Sequence, residues 1–400
     1  MATFTRTEAA GRAGVEQEFL DQLVELEILR PGEPERWSSG DVRRAAMIRT
    51  LADGGVPLEG LATSVRAGRV SFDFLDTPAY ERFAALSDET FGQASARTGV
   101  PLELLSMIRE ATGLAQPSPD DRLREDELPT VAFIEAQLEL GFRPVAIERL
   151  LRVEGDCIRR ITEQEGAWWQ SEIIAPAMAA GKGTEAITNP ELATRISAIG
   201  EASVVAMYHA QQARVWTTNL IDGLEVMLTE EGLHNRLERP PAICFLDITG
   251  YTRLTQERGD DAAAALASTL SRLVQRTSIQ HGGKPIKWLG DGVMLYFRDA
   301  GPGVLAALDM VAGISDSGLP PAHVGLHAGP VLFQEGDYFG QTVNLSARIA
   351  EYARPGEVLV SRAVADAAQG GEISFQDIGE VDLKGVGLPI QLLRAHRTED

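Results

Sequence analysis

The spacing of apolar positions changes character near residue 240. Upstream, apolar residues recur every three or four positions. Phe19, Leu23, Leu26 and Leu29 form one such run, and Val131, Ile134, Leu138 and Leu140 another. That spacing puts them on one face of a helix. Turn signals at Arg30-Pro31-Gly32, Gly54-Gly55 and Pro117–Asp121 divide the helical segments. Downstream, short β-rich runs alternate with helical ones. Ala242–Leu246, Pro285–Leu289, Val293–Phe297, Val324–Ala328 and Val358–Val360 read as strands. The corner Glu238-Arg239-Pro240-Pro241 marks the change, because consecutive prolines cannot continue a helix. The pattern predicts an all-α N-terminal domain over 1–188, a helical linker over 189–237 and an α+β domain over 238–400.

The N-terminal part carries a weak internal repeat. A helix starting at Ser39-Gly40-Asp41-Val42 runs through Met47, Ile48 and Leu51, then meets Gly55-Val56-Pro57-Leu58-Glu59-Gly60-Leu61. At an offset of 86 residues, Glu127 matches Asp41, Phe133-Ile134 matches Met47-Ile48, Gly141-Phe142 matches Gly55-Val56, and Ile147 matches Leu61. A helix, a glycine turn and a short helix make a helix-turn-helix unit. The first copy, from Ile28-Leu29-Arg30-Pro31 to Leu61, resembles the MerR-type winged-helix family, whose unit reads DNA. The linker, Asn189 to Leu237, has an imperfect apolar stripe through Ile196, Ile199, Val204, Met207, Gln211, Val215, Leu220 and Leu224. A helix packed on its own domain and a dimer helix share that stripe.

Composition narrows the function. The 58 Asp and Glu against 37 Lys and Arg give a formal charge of −21, while 44% of residues are hydrophobic. That balance belongs to a folded chain and excludes a disordered or collagen-like one. It argues against a surface that grips phosphate backbones, and so for a packing or regulatory role of the helix-turn-helix units. The two cysteines, Cys157 and Cys244, cannot make a disulfide framework and read as buried reduced thiols. No uncharged apolar run reaches the ~18–20 residues of a bilayer span, and the N-terminus has no signal-peptide core. These features predict a cytoplasmic protein without a membrane span.

Candidate chemistry begins at Cys244-Phe245-Leu246-Asp247-Ile248-Thr249-Gly250-Tyr251-Thr252, where an apolar strand ends in a carboxylate. A second carboxylate stands 44 residues on, at the tip of Gly290-Asp291-Gly292 between two apolar strands. Alone, each has a plainer role as a helix cap or a hairpin turn. Together, at neighbouring strand ends, they suit hard divalent cations, and paired metals clamp the oxygens of a phosphoryl displacement. The third element is Gly336-Asp337-Tyr338-Phe339-Gly340-Gln341-Thr342-Val343-Asn344-Leu345-Ser346-Ala347-Arg348. Asn344 and Arg348, four apart, share a helix face that suits phosphoryl transition-state charge.

These elements, in this order, resemble the catalytic domain of class III nucleotidyl cyclases. The similarity runs from about Pro241 to the C-terminal end and takes in Gly325-Leu326-His327-Ala328-Gly329-Pro330 and Arg354-Pro355-Gly356-Glu357-Val358-Leu359-Val360-Ser361. The resemblance implies a ferredoxin-like α/β fold and a head-to-tail homodimer with two sites, each drawn from both subunits. It implies two Mg²⁺ or Mn²⁺ ions per site on Asp247, Asp291 and the Ile248 carbonyl. Lys287 and Asp337 match the purine-selecting positions, Asn344 and Arg348 the transition-state pair, and Lys384, in Asp382-Leu383-Lys384-Gly385, the triphosphate lysine. Lysine only donates and aspartate only accepts, so the Lys287/Asp337 pair fits the N1 acceptor and 6-amino donor of adenine.

The expected function is an adenylate cyclase converting ATP to 3′,5′-cyclic AMP, regulated through its N-terminal part. The signal there is a small molecule, a lipid, pH or a protein partner. The alternatives are a catalytically silent cyclase-fold signalling or DNA-binding regulator, or a cyclase for GTP or a pyrimidine triphosphate. Four other features have plainer readings. His323 and His327 share a strand face with no third ligand, which argues against zinc. Trp168-Trp169 reads as packing, and His209 as a satisfied helix histidine. His281-Gly282-Gly283-Lys284 enters a strand rather than opening a helix, unlike a phosphate loop.

Overall fold

A computed structural model describes residues 3–32, 36–76, 85–181, 190–234, 240–250, 259–368 and 371–398. Glu238-Arg239, Tyr251-Thr252 and the start of the linker at Asn189 lie outside the described residues. The chain divides into two compact units, Met1–Gly223 and Leu224–Asp400.

The first unit is helical and contains two copies of one module. In the first copy, strand Thr3–Phe4 pairs with Trp37–Ser38, and helices Arg6–Ala13, Gln17–Glu25, Ser39–Asp53 and Leu58–Arg66 surround a core of Phe19, Leu20, Leu23, Val42 and Ile48. In the second, strand Leu86–Thr90 pairs with Arg122–Arg124, and helices Phe91–Thr98, Leu102–Ala111, Leu128–Glu139 and Pro144–Trp169 enclose Phe91, Leu105, Ile108, Ile134 and Ile147. The segments Ser39–Arg66 and Leu128–Trp169 are in each case the second helix pair of the group. The same capping chemistry recurs in both. Thr5 with Glu8 and Thr90 with Gln93 each form a capping box at the first helix. Asp41 accepts the backbone N–H of Ser38 at 2.8 Å, and Glu127 that of Arg124 at 2.7 Å.

Two details depart from expectation. The final helix of the second copy has 26 residues and is not short. Its interior Gly155 is held by contact, since a Cβ there would lie 2.2 Å from the Ala111 carbonyl oxygen. The unit also contains the two small antiparallel ribbons, which helical periodicity does not announce. The linker is one helix, Pro190–Glu230, on which Ile199, Met207, Val215 and Leu220 are exposed. Cys157 is exposed rather than buried, because it faces outward on the long helix; Cys244 is buried, and burial pushes its thiol up.

The second unit holds a seven-stranded sheet. In chain order its elements are β1 (Ala242–Ile248), α1 (Asp260–Gln280), β2 (Gly283–Leu289), β3 (Gly292–Phe297), α2 (Ala300–Asp316), β4 (Ala322–Ala328), β5 (Leu332–Gln334), β6 (Asp337–Phe339), α3 (Gln341–Tyr352), β7 (Val358–Ser361), α4 (Arg362–Ala367), β8 (Ile373–Val381) and β9 (Ile390–Arg397). Sheet order is β8-β9-β7-β4-β1-β3-β2, while β5 and β6 form a separate hairpin. The segment β1-α1-β2-β3-α2-β4, with order β4-β1-β3-β2 and antiparallel neighbours, is the ferredoxin-like arrangement.

Strand alternation sorts side chains to two faces. Ala242, Cys244, Leu246 and Ile248 join Val293, Leu295, Val324 and Leu326 in the main core, with Val304, Ala307 and Met310 of α2. Ile243 lies in a second cluster with Met294 and Tyr338, with Phe245 packed against it. Asp247, in step with Ile243 and Phe245, therefore leaves the sheet on that second side. α3 also packs on β4, where Gly325 is obligatory: a Cβ there would lie 2.1 Å from the Ala350 nitrogen.

Candidate active site

Asp247 is the penultimate residue of β1 and sits opposite Gly292 and His323 in the flanking strands. Gly290 and Asp291 are the two loop residues of the β2–β3 hairpin. Gly290 has φ 71°, which suits the glycine position of a type II′ turn. Register therefore brings Asp247 beside the Asp291 turn. Gly292 makes the approach possible, since a Cβ there would lie 3.0 Å from Asp247 Oδ1. Partial burial raises the Asp247 carboxyl, and the Asp291 charge raises it further, while His323 opposes both. His323 Nε2 stands 3.5 Å from Asp247 Oδ2, and its Nδ1 is 3.3 Å from the Thr249 hydroxyl.

These residues fit a divalent cation on their donor chemistry. Both donors are carboxylate oxygens, their mutual repulsion is relieved by a cation between them, and the missing Cβ at Gly292 leaves the carboxylate room. No group of three His, Cys, Asp or Glu side chains able to hold a metal occurs among the described residues.

A second cluster forms on β2 and the β5–β6 hairpin. Lys287 Nζ and Asp337 Oδ2 form an ion pair, both only partly exposed. The other Asp337 oxygen accepts the Tyr338 N–H at 2.8 Å. Asn344 and Arg348 lie on α3, which Gly340, Thr342 and Pro330 anchor: Thr342 Oγ1 donates to the Pro330 carbonyl at 2.7 Å. Asn344 is exposed. Arg348 Nη1 reaches both Glu351 oxygens at 2.6 Å, an i,i+3 contact on the helix. Lys384 is exposed in a turn closed by Val386 N–H to Leu383 O, with Gly385 at φ 77°. Leu383 packs in the cluster of Ile349, so this turn is tied to the helix of Arg348.

The chain thus brings Asp247 together with Asp291, and Lys287 together with Asp337. Among the described residues, no hydrogen bond or ion pair joins the first pair to Lys287, Asp337, Asn344, Arg348 or Lys384. Ile248 is buried and opposite Ala322. Three neighbours were not foreseen. His323 shares its strand face with His327, but His327 meets Ser361 Oγ at 2.7 Å. Glu351 was findable from helix spacing to Arg348. Gly292 reads from the sequence as part of the turn, whereas it is a strand residue opposite Asp247.

Residues 238–394 match the family model of the adenylate and guanylate cyclase catalytic domain. Over these residues the C-terminal unit is matched by the catalytic domain of the class III nucleotidyl cyclases. Among relatives, a pH-sensitive adenylate cyclase of Mycobacterium tuberculosis is 26% identical over 318 residues, spanning 76% of this chain and 77% of that one. An adenylate cyclase of Streptomyces coelicolor is 26% identical over 276 residues, 68% of this chain and 70% of its own. Among solved structures, the adenylyl cyclase CyaB from P. aeruginosa is 20% identical with a TM-score of 0.36, covering 40% of this chain and 95% of that one.

Proposed function

We propose that the protein is an adenylate cyclase that converts ATP to 3′,5′-cyclic AMP and pyrophosphate in a homodimer. The observation that carries the choice of substrate is the Lys287–Asp337 pair. It presents a donor and an acceptor side by side, complementary to N1 and the 6-amino group of adenine. Guanine would meet donor with donor and acceptor with acceptor, leaving polar groups unpaired at ~1–3 kcal/mol each. An ATP preference over GTP of ~100-fold or more follows.

Asp247, Asp291 and the Ile248 carbonyl are the groups that would hold two Mg²⁺ or Mn²⁺ ions, which supply Lewis-acid activation of the ribose 3′-hydroxyl and charge neutralisation at the phosphates. Lys287 and Asp337 orient the purine. Asn344 holds the ribose so that the 3′-oxygen faces the α-phosphorus. Arg348 exchanges Glu351 for the α-phosphate as charge grows there, and Lys384 binds the departing pyrophosphate. The 3′-oxygen forms a bond to the α-phosphorus, the bond to the bridging oxygen breaks, and the hydroxyl proton passes to water. Separation of the Asp247/Asp291 and Lys287/Asp337 clusters supports a site completed by a second copy. The N-terminal unit supports a regulatory input.

The test is turnover by the full chain with Mn²⁺ and then Mg²⁺, with ATP, GTP, CTP and UTP in parallel. Cyclic AMP from ATP is expected. Equal rates with GTP would sink the substrate assignment, and no product from the full chain or from residues 236–400 would sink catalysis.

A further inference from the structure

The hairpin of β5 and β6 carries Asp337, and a box of aromatic rings fixes that hairpin to the sheet. Tyr296 of β3 stacks on Tyr338, with centroids 4.5 Å apart and planes 11° from parallel. Phe333 leans on Tyr338 at 4.9 Å. Lys284 Nζ stands 5.6 Å from the Tyr296 ring, 5.8 Å from Phe333 and 5.5 Å from Tyr338. These distances lie within the range where a ring face attracts an ammonium. Burial and then Tyr296 push the Tyr338 phenol up to about 12, so it stays neutral.

Strand geometry explains how one strand serves both Lys284 and Lys287. Residues three apart on a regular strand point to opposite faces. Here Lys284 lies opposite Tyr296 and Lys287 opposite Met294, which share a face, because the ladder slips between Pro285 and Lys287. Proline has no N–H to give the ladder, so an irregularity is tolerated there. The slip turns both lysines toward the same hairpin. One meets Tyr338 and the other meets Asp337, its chain neighbour.

We propose that Lys284, through the Tyr296–Phe333–Tyr338 box, is a positioning residue for purine selection: it holds the hairpin so that Asp337 stands against Lys287. The inference rests on the adenylate cyclase reading above. Lys284 grips the rings and touches no nucleotide. Without it the acceptor for the adenine amino group loses its fixed place, and ATP suffers more than GTP.

The experiment measures kcat/KM for ATP and GTP on the full chain, for wild type, Lys284→Met, Lys284→Arg and Tyr296→Leu, with melting temperatures alongside. Lys284→Met should lower the ATP:GTP ratio by about 3- to 10-fold, chiefly through KM for ATP. Lys284→Arg, which keeps a cation on the rings, should restore most of it. Tyr296→Leu should relax selectivity in the same direction, and it serves if Lys284→Met does not fold. An unchanged ratio in folded variants, with both substrates falling equally, would overturn the proposal while leaving a selective wild type intact. A wild type that does not prefer ATP would instead remove the underlying reading, and this inference with it.

Discussion

Gly292 shows how much of the candidate site depends on a missing side chain. Its hydrogen lies where a Cβ would stand 3.0 Å from Asp247 Oδ1 and 3.1 Å from the Leu246 carbonyl oxygen. Gly292→Ala should displace the carboxylate and lower kcat by ~10-fold or more, read by steady-state kinetics at saturating Mn²⁺. Asp291→Ala should abolish detectable turnover, a loss of at least ~100-fold, with the circular dichroism spectrum and melting temperature retained. Substantial activity in that folded variant would remove Asp291 from the metal site. At this scale a residue type standing in a motif is what marks Asp247, Lys287, Asp291, Asp337, Asn344 and Arg348 as candidates in the sequence. The sequence is silent where strand register makes the contact. The His323–Asp247 approach joins residues 76 positions apart, and nothing local marks it. Glu351 is different, because its i,i+3 helix spacing to Arg348 is visible in the sequence.

The elements were legible in proportion to their apolar content. The strands β1, β2, β3, β4 and β7 are short apolar runs and stand where the pattern put them, within one or two residues at most ends. The strands β8 and β9 were not foreseen. Their exposed, mixed sequences, such as Ser374-Phe375-Gln376-Asp377, give weak alternation, and pairing with each other and with β7 decides them. The β5–β6 hairpin has three residues a side and was invisible for the same reason. One ion network ties three elements together. Asp309 of α2 accepts from His281 Nε2 at 2.8 Å and from Arg397 Nη2 at 2.6 Å. Burial alone would raise the Asp309 carboxyl, but the hydrogen bonds from Arg397 and His281 more than offset it, so it lies below its ordinary value. A depressed carboxyl contributes stability above its unfolded-state value and loses it as pH falls through the folded one. Asp309→Asn should therefore lower the melting temperature at neutral pH, and the gap to wild type should shrink through the acid range. A gap that does not change with pH would contradict this.

At the scale of the whole molecule, two units with separate cores are joined by the chain running through the helix Pro190–Glu230. No helix among the described residues is long and apolar enough to cross a membrane. In the first unit the helix-glycine-helix segments keep apolar spacing and show in the sequence, while each ribbon rests on two residue pairs, such as Thr3 with Ser38 and Phe4 with Trp37, and does not. A regulatory role for the first unit predicts that removing residues 1–235 changes kcat several-fold. An unchanged rate together with unchanged dimerisation would count against it.

The proposed cyclase site is split between two identical chains, with Asp247 and Asp291 from one copy and Lys287, Asp337, Asn344 and Arg348 from the other. The direct measurement mixes two inactive full-length variants, Asp291→Ala and Arg348→Ala, under conditions of subunit exchange, and follows cyclic AMP formation from ATP. Each heterodimer would hold one intact site and one doubly defective site. With random pairing, activity should recover to about a quarter of the wild-type rate. A mixture no more active than its separate components, with exchange verified, would rule out a site shared between chains.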